Sequence, residues 1–132
     1  MKCYPASKSH HGVWWQALRA AGVPIVATWL DWARNHDSVE PTDDEWREHW
    51  QRCISEASDS DVLLFVALKG ERQCGALIEI GAALSAGKRV FLVSPYEWSI
   101  AHHPRCRTFR SIAEAVEAIM AEALAPKLWA VK

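Results

Sequence analysis

Glu79 is the one acidic side chain between Arg72 and Tyr96, and it sits inside the run Gln73-Cys74-Gly75-Ala76-Leu77-Ile78-Glu79-Ile80-Gly81-Ala82-Ala83-Leu84-Ser85-Ala86-Gly87. A carboxylate one to two turns into a helix, near the edge of an α/β sheet where ligands bind, is placed to do chemistry. Position alone also allows the plainer alternative, a glutamate on the solvent face of its helix. Cys74 opens the same helix, where the dipole can lower a thiol pKa, so a cysteine nucleophile with a histidine base is a second chemistry, although nothing in the sequence selects the base. Ser7-Lys8-Ser9 is a small polar loop before a helix, suited to hold an anion such as phosphate; one of its serines as a mere helix cap is the alternative. His102-His103-Pro104-Arg105-Cys106 matches no standard zinc spacing and lacks a second ligand pair, so no metal is expected.

The elements that must position these residues follow from periodicity. Leu77, Ile80 and Leu84 recur at i, i+3 and i+7, an apolar helical stripe that Gly87 closes. Val62-Leu63-Leu64-Phe65-Val66-Ala67-Leu68 upstream and Val90-Phe91-Leu92-Val93 downstream are continuous apolar runs of strand length, apolar on both faces as in a parallel sheet. Strand, helix and strand make a β-α-β unit. Lys2 to Ala6 is a candidate first strand, Val13 to Ala21 a helix with Trp14, Leu18 and Ala21 on one face, and Val23 to Thr28 a second strand with Pro24 at its start. Trp29-Leu30-Asp31-Trp32 then falls at the carboxyl edge of the sheet. There Trp29 or Trp32 can stack on a base or sugar and Asp31 can accept a hydroxyl, or the tryptophans merely cover the sheet.

A polar loop is expected from Ala33 to Pro41, and Thr42-Asp43-Asp44-Glu45 reads as a capping box. The helix it opens carries Trp46, Trp50, Ile54 and Ala57 on its buried stripe, with His49 outside it. Ser94 lies in the turn after the Val90 strand, again at the carboxyl edge. A short strand near Arg107-Thr108-Phe109 and a helix from Ile112 to Ala125, capped by Ser111 and burying Ile112, Val116, Ile119 and Leu124, complete the chain. Five parallel strands alternating with helices predict a flavodoxin-like three-layer α/β/α sandwich in a single domain over 1–132.

The run from Gly75 to Val90 resembles the nucleoside 2-deoxyribosyltransferase family, whose signature is a glycine followed by E-x-G-x-A-x-x-x-G-K-x-V after an Asp-led hydrophobic strand, here Asp59-Ser60-Asp61-Val62. The resemblance covers the middle of the chain. It implies that Glu79 is the nucleophile that attacks the anomeric carbon, and that Tyr4, matching a tyrosine at the end of the first strand, stands beside it; a core aromatic is the alternative for Tyr4. It implies substrate contacts from Gly75 and the first loop, where a serine handles phosphate in the deoxynucleoside 5′-monophosphate hydrolase branch. The expected chemistry is cleavage of an N-glycosidic bond through a covalent glutamyl-sugar ester, with water or a second base as acceptor and no cofactor. A homodimer or larger homo-oligomer is also implied. Two positions depart from the family. Gln73 and Cys53 stand where aspartates are usual, and neither protonates a leaving base as an aspartic acid does. A nucleotide-binding module without turnover is therefore the alternative.

Composition bounds the rest. The chain has 132 residues, is 50% hydrophobic and carries eight tryptophans, which argues against disorder. A formal charge of −1 offers no basic field, so a small-molecule nucleoside or nucleotide is the expected partner and nucleic acid is not. No apolar run reaches membrane-span length and no signal-peptide core follows Met1, so a cytoplasmic protein with no membrane partner is expected. The four cysteines form no C-x-x-C pair, which fits reduced thiols. There is no Walker lysine motif and no G-x-G-x-x-G after the first strand.

Overall fold

The computed structural model describes the backbone of residues 1–35 and 40–130. Among these residues the order is β1 (Cys3–Ala6), α1 (Gly12–Ala20), α2 (Trp29–Asn35), α3 (Asp43–Asp59), β2 (Val62–Val66), α4 (Gly75–Ser85), β3 (Arg89–Val93), β4 (Cys106–Thr108) and α5 (Ile112–Ala130), with single 3-10 turns at Ser9–His11 and Ser99–His102. The four strands form one parallel sheet in the order β1-β2-β3-β4. Both faces are covered: every residue of β1 and β2 is buried, as their unbroken apolar runs require. This is the flavodoxin-like α/β class.

The described residues form four strands where five were expected, and the missing one is explained by Pro5. Ile25 makes an isolated parallel bridge with Cys3, held by Cys3 N–H to the Pro24 carbonyl at 2.8 Å and Val26 N–H to the Cys3 carbonyl at 2.9 Å. The next rung on that edge would need an N–H from Pro5, which has none. The Pro5 carbonyl instead accepts the Trp29 indole N–H at 3.0 Å, and the Thr28 N–H turns to Glu56 at 3.0 Å. The strand therefore stops at one bridge and the chain enters α2. With Ile25 counted outside β1, the order is the 2-1-3-4-5 of doubly wound folds.

Local rules account for the helices around the cavity. The Thr42–Glu45 capping box is formed reciprocally: Thr42 Oγ1 accepts the Glu45 N–H at 3.2 Å and Glu45 Oε1 accepts the Thr42 N–H at 3.0 Å. Gly87, with φ of +78°, ends α4, and the following Lys88 N–H reaches back to the Ala83 carbonyl at 2.9 Å. α3 and α4 pack side by side against the sheet.

Three stripes differ from the expected ones. In α1 it is Trp15 that is buried, while Trp14 is 45% exposed and stacks on His11 instead. In α4 Ile80 and Leu84 are buried with Ala76, Ala83 and Glu79, whereas Leu77 is exposed. In α5 Ala115 and Ile119 go to the core, Ile112 and Val116 pack partly against it, and Leu124 is exposed. The polar loop expected from Ala33 to Pro41 falls partly outside the described residues, and the start of it is the end of α2.

Candidate functional site

A cavity of about 420 Å³ opens at the carboxyl edge of the sheet, between the loop after β1, the start of α4 and the inner face of α3. Its walls come from three sequence-distant stretches: Ser7, Lys8 and Ser9 from the first loop; Gln73, Cys74, Gly75, Ala76 and Glu79 from the start of α4; and Trp46, His49, Trp50 and Cys53 from α3. Trp29 and Trp32 of α2 and Pro41 close the remaining side.

Glu79 is 7% exposed, so it is not a solvent-face glutamate. Tyr4, fully buried on β1, donates its hydroxyl to Glu79 Oε2. Burial pushes the Glu79 carboxyl up to about 7; the Tyr4 hydrogen bond pulls the other way, and the nearby Glu56 adds to the rise. The Tyr4 phenol is itself driven above its ordinary range, by burial first and then by the Glu79 and Cys53 charges, so it stays a proton-bearing donor. Cys53 lies beside both, its thiol pushed up to about 11 by burial and by Glu79. A buried carboxylate held by one phenolic donor on a cavity wall has its second oxygen available for an electrophilic carbon.

The glycine at the start of α4 has a steric task. A Cβ on Gly75 would lie 2.7 Å from Cη2 of Trp50, so the indole of α3 can pack over the first turn of α4 only if that position has no side chain. The Gln73 amide nitrogen, also on the cavity wall, is buried without a hydrogen-bond partner. In the first loop Ser7 Oγ accepts the Trp15 indole N–H at 2.7 Å, which fixes the loop on α1 and leaves Lys8 and Ser9 with it at the rim.

The structure brings Glu79, Tyr4, Ser7, Lys8, Ser9, Trp29, Gln73 and Gly75 to one place, Tyr4 through its bond to Glu79 and the rest as lining. It does not bring Asp31 or Ser94 there. Asp31 is exposed on α2 and pairs with Arg19 of α1 at 3.2 Å, on the side turned from the cavity. Ser94 accepts the Tyr96 N–H at 3.1 Å, closing its own turn. His49, expected in solvent, is half-buried in the cavity wall; Trp50 packs partly against the core and lines the cavity, whereas Trp46, expected to be buried, is 37% exposed at the cavity. A signal for this existed: 46, 49, 50, 53 and 57 also form one helical face. His49 and Cys53 belong to it, in place of Ile54, which is 40% exposed.

Beside the cavity, His10, His11 and Glu71 bring their ligand atoms within 4.8 Å of one another. His11 Nε2 lies 2.8 Å and His10 Nε2 3.0 Å from the same Glu71 oxygen, and the Leu68 N–H bonds the other oxygen at 2.8 Å. A metal-bound histidine ordinarily donates its second ring N–H to a partner, and His11 Nδ1 is buried without one. The arrangement fits a tether between the loop after β1 and the loop before Gln73 better than a ligand set. Burial would raise the Glu71 carboxyl, but the Leu68 N–H and His11 more than offset it and hold it below the usual range.

No family model and no curated protein matches the chain. Among solved structures, that of the CMP N-glycosidase BcmB of Clostridium botulinum aligns with a TM-score of 0.55 over 92% of this chain and 99% of that one, at 14% sequence identity. At that identity the likeness is one of fold.

Proposed function

We propose that the chain cleaves the N-glycosidic bond of a nucleoside or nucleotide, with Glu79 as the nucleophile. The observation that carries this reading is the buried Glu79 carboxylate held by Tyr4 on the wall of a nucleotide-sized cavity. In this reading Glu79 attacks C1′ of the sugar, the base departs with the C1′–N electron pair, and a glutamyl-sugar ester remains. Water or a second base then attacks the same carbon, and Glu79 returns as a carboxylate, the two-step logic of retaining glycosidases. Tyr4 orients the carboxylate and spreads its charge before attack. Lys8 and the serines of the first loop suit a 5′-phosphate, and Trp29, Trp32, Trp46 and Trp50 offer aromatic faces for a base. A fold neighbour that acts on CMP adds support for a nucleotide substrate.

The test is intact-protein mass spectrometry and base release, using wild type and Glu79→Gln with a mixture of nucleosides, deoxynucleosides and their 5′-monophosphates. We expect free base and a pentosyl-sized adduct from wild type alone. If wild type gains no mass and frees no base from any of them, the catalytic reading is wrong. Nucleotide binding without turnover would then remain as the use of the cavity.

A further inference from the structure

We propose that His49 is the proton donor to the departing base, in the position where Gln73 and Cys53 leave the cavity without an acid. The inference rests on the N-glycosidase reading above and goes beyond it by naming the second catalytic group. His49 stands on α3, on the cavity wall that faces the start of α4, where Glu79 is carried. Its ring is fixed in orientation by its neighbours. It stacks on Trp32 with centroids 3.9 Å apart and planes 23° apart, and it meets Trp46 and Trp50 edge-on at 5.8 and 6.0 Å. Its Nε2 lies 3.6 Å from Cys53 Sγ. A general acid needs a fixed direction before it needs anything else, and an imidazole packed among three indoles has one.

Gln73, Cys53, Tyr4 and Lys8 are unsuited to the task. The Gln73 amide has no proton to transfer. The Cys53 thiol is buried against Glu79, and the Tyr4 hydroxyl is committed to the Glu79 carboxylate. Lys8 sits with Ser7 and Ser9 in the loop across the cavity. Imidazole is the side chain that both gives and takes a proton near neutral pH. In the first step the Glu79 oxygen bonds to C1′, the C1′–N bond breaks toward the base, and the imidazolium N–H passes its proton to that base. In the second step the neutral imidazole takes a proton from water as the water oxygen bonds to C1′ and the ester bond breaks, which restores both groups.

Among the described residues, the titratable and charged groups around the ring include Cys53 and, one turn back, Glu45 on its own helix, with Glu56 and Arg52 acting on the thiol, and Glu79, Cys74 and Lys8 across the cavity. Asp31, on the helix that carries Trp32, is turned away to Arg19. The experiment compares wild type, His49→Gln and His49→Ala on two substrates with the same sugar, one bearing a nucleobase and one bearing 4-nitrophenolate, which departs without a proton. We expect the His49 variants to slow base release by about 10²- to 10⁴-fold and 4-nitrophenolate release only a few-fold. The alkaline limb of the base-release pH profile should vanish in His49→Gln, and added imidazole should restore part of the rate of His49→Ala. Equal slowing of both substrates, or of neither, overturns the assignment while leaving Glu79 as nucleophile. If wild type releases neither leaving group, the N-glycosidase reading fails and His49 falls with it.

Discussion

At the scale of the residue, Glu79 carries a conflict that can be measured. A carboxyl whose folded value is raised from its ordinary 4.5 to about 7 binds a proton in the folded chain over a range where the unfolded chain has lost it. Stability must therefore fall as pH rises from about 4.5 to 7, and the penalty, on the order of 3 kcal/mol, is complete above that window. Glu79→Gln, neutral throughout, should melt higher than wild type at pH 8, and the difference should shrink toward pH 4; a constant gap across thermal melts from pH 4 to 8 would mean the carboxyl is not perturbed. Activity runs the other way, because the nucleophile must be ionised, so kcat/KM should rise with pH along a limb set by Glu79. Tyr4→Phe removes the donor that favours the ionised form. Its acid limb should move to higher pH; a limb that stays in place would show that the hydroxyl does not stabilise the carboxylate. The position of Glu79 in an otherwise apolar helix made it readable from sequence. Asp31 misled because its partner, Arg19, is set by how α1 and α2 pack, and no local pattern encodes that.

At the scale of the element, the cavity depends on two helices meeting without a side chain between them. Gly75→Ala puts a methyl group 2.7 Å from the Trp50 ring, and a rigid indole inside a packed wall can answer only by swinging as a whole. We expect about 1 to 3 kcal/mol of lost stability, read as a lower melting temperature, together with a raised KM. Trp50→Phe in the same chain, by shortening the ring, should recover part of both; no recovery would locate the damage elsewhere. The same meeting explains what was legible. Strands β2 and β3 and helix α4 follow from unbroken apolar runs and a closing glycine, since burial on both faces leaves no other pattern. The α3 face was harder, because a helix face lining a cavity need not be apolar. His49 and Cys53 lie on it beside the tryptophans, and an apolar count prefers the exposed Ile54. The lost strand at Ile25 turned on a single missing N–H in a neighbouring strand, a relation visible only once the pairing is known.

At the scale of the whole molecule, the outer face of α4 bears on assembly. Leu77 and Ile78 are 45% and 54% exposed, and Gly81, one turn on, has open space where a Cβ would point. The three share one helical face, on the helix whose other face carries Glu79 into the cavity. Apolar residues beside a glycine form the kind of surface a second copy of the chain can approach closely, and a homodimer through this face is the assembly we propose. In an isolated helix, Gly81→Ala should stabilise by about 0.5 to 1 kcal/mol, because an exposed helical glycine costs that much relative to alanine. In a dimer packed through the same face the added methyl group stands between two backbones, so the variant should raise the melting temperature of the monomer while weakening the dimer. Ile78→Glu should break the dimer outright without moving the fold. Light scattering across a concentration series, with thermal melts at each point, separates these effects. A wild type that stays monomeric at every concentration, with Gly81→Ala simply more stable, would mean that this face of α4 meets solvent.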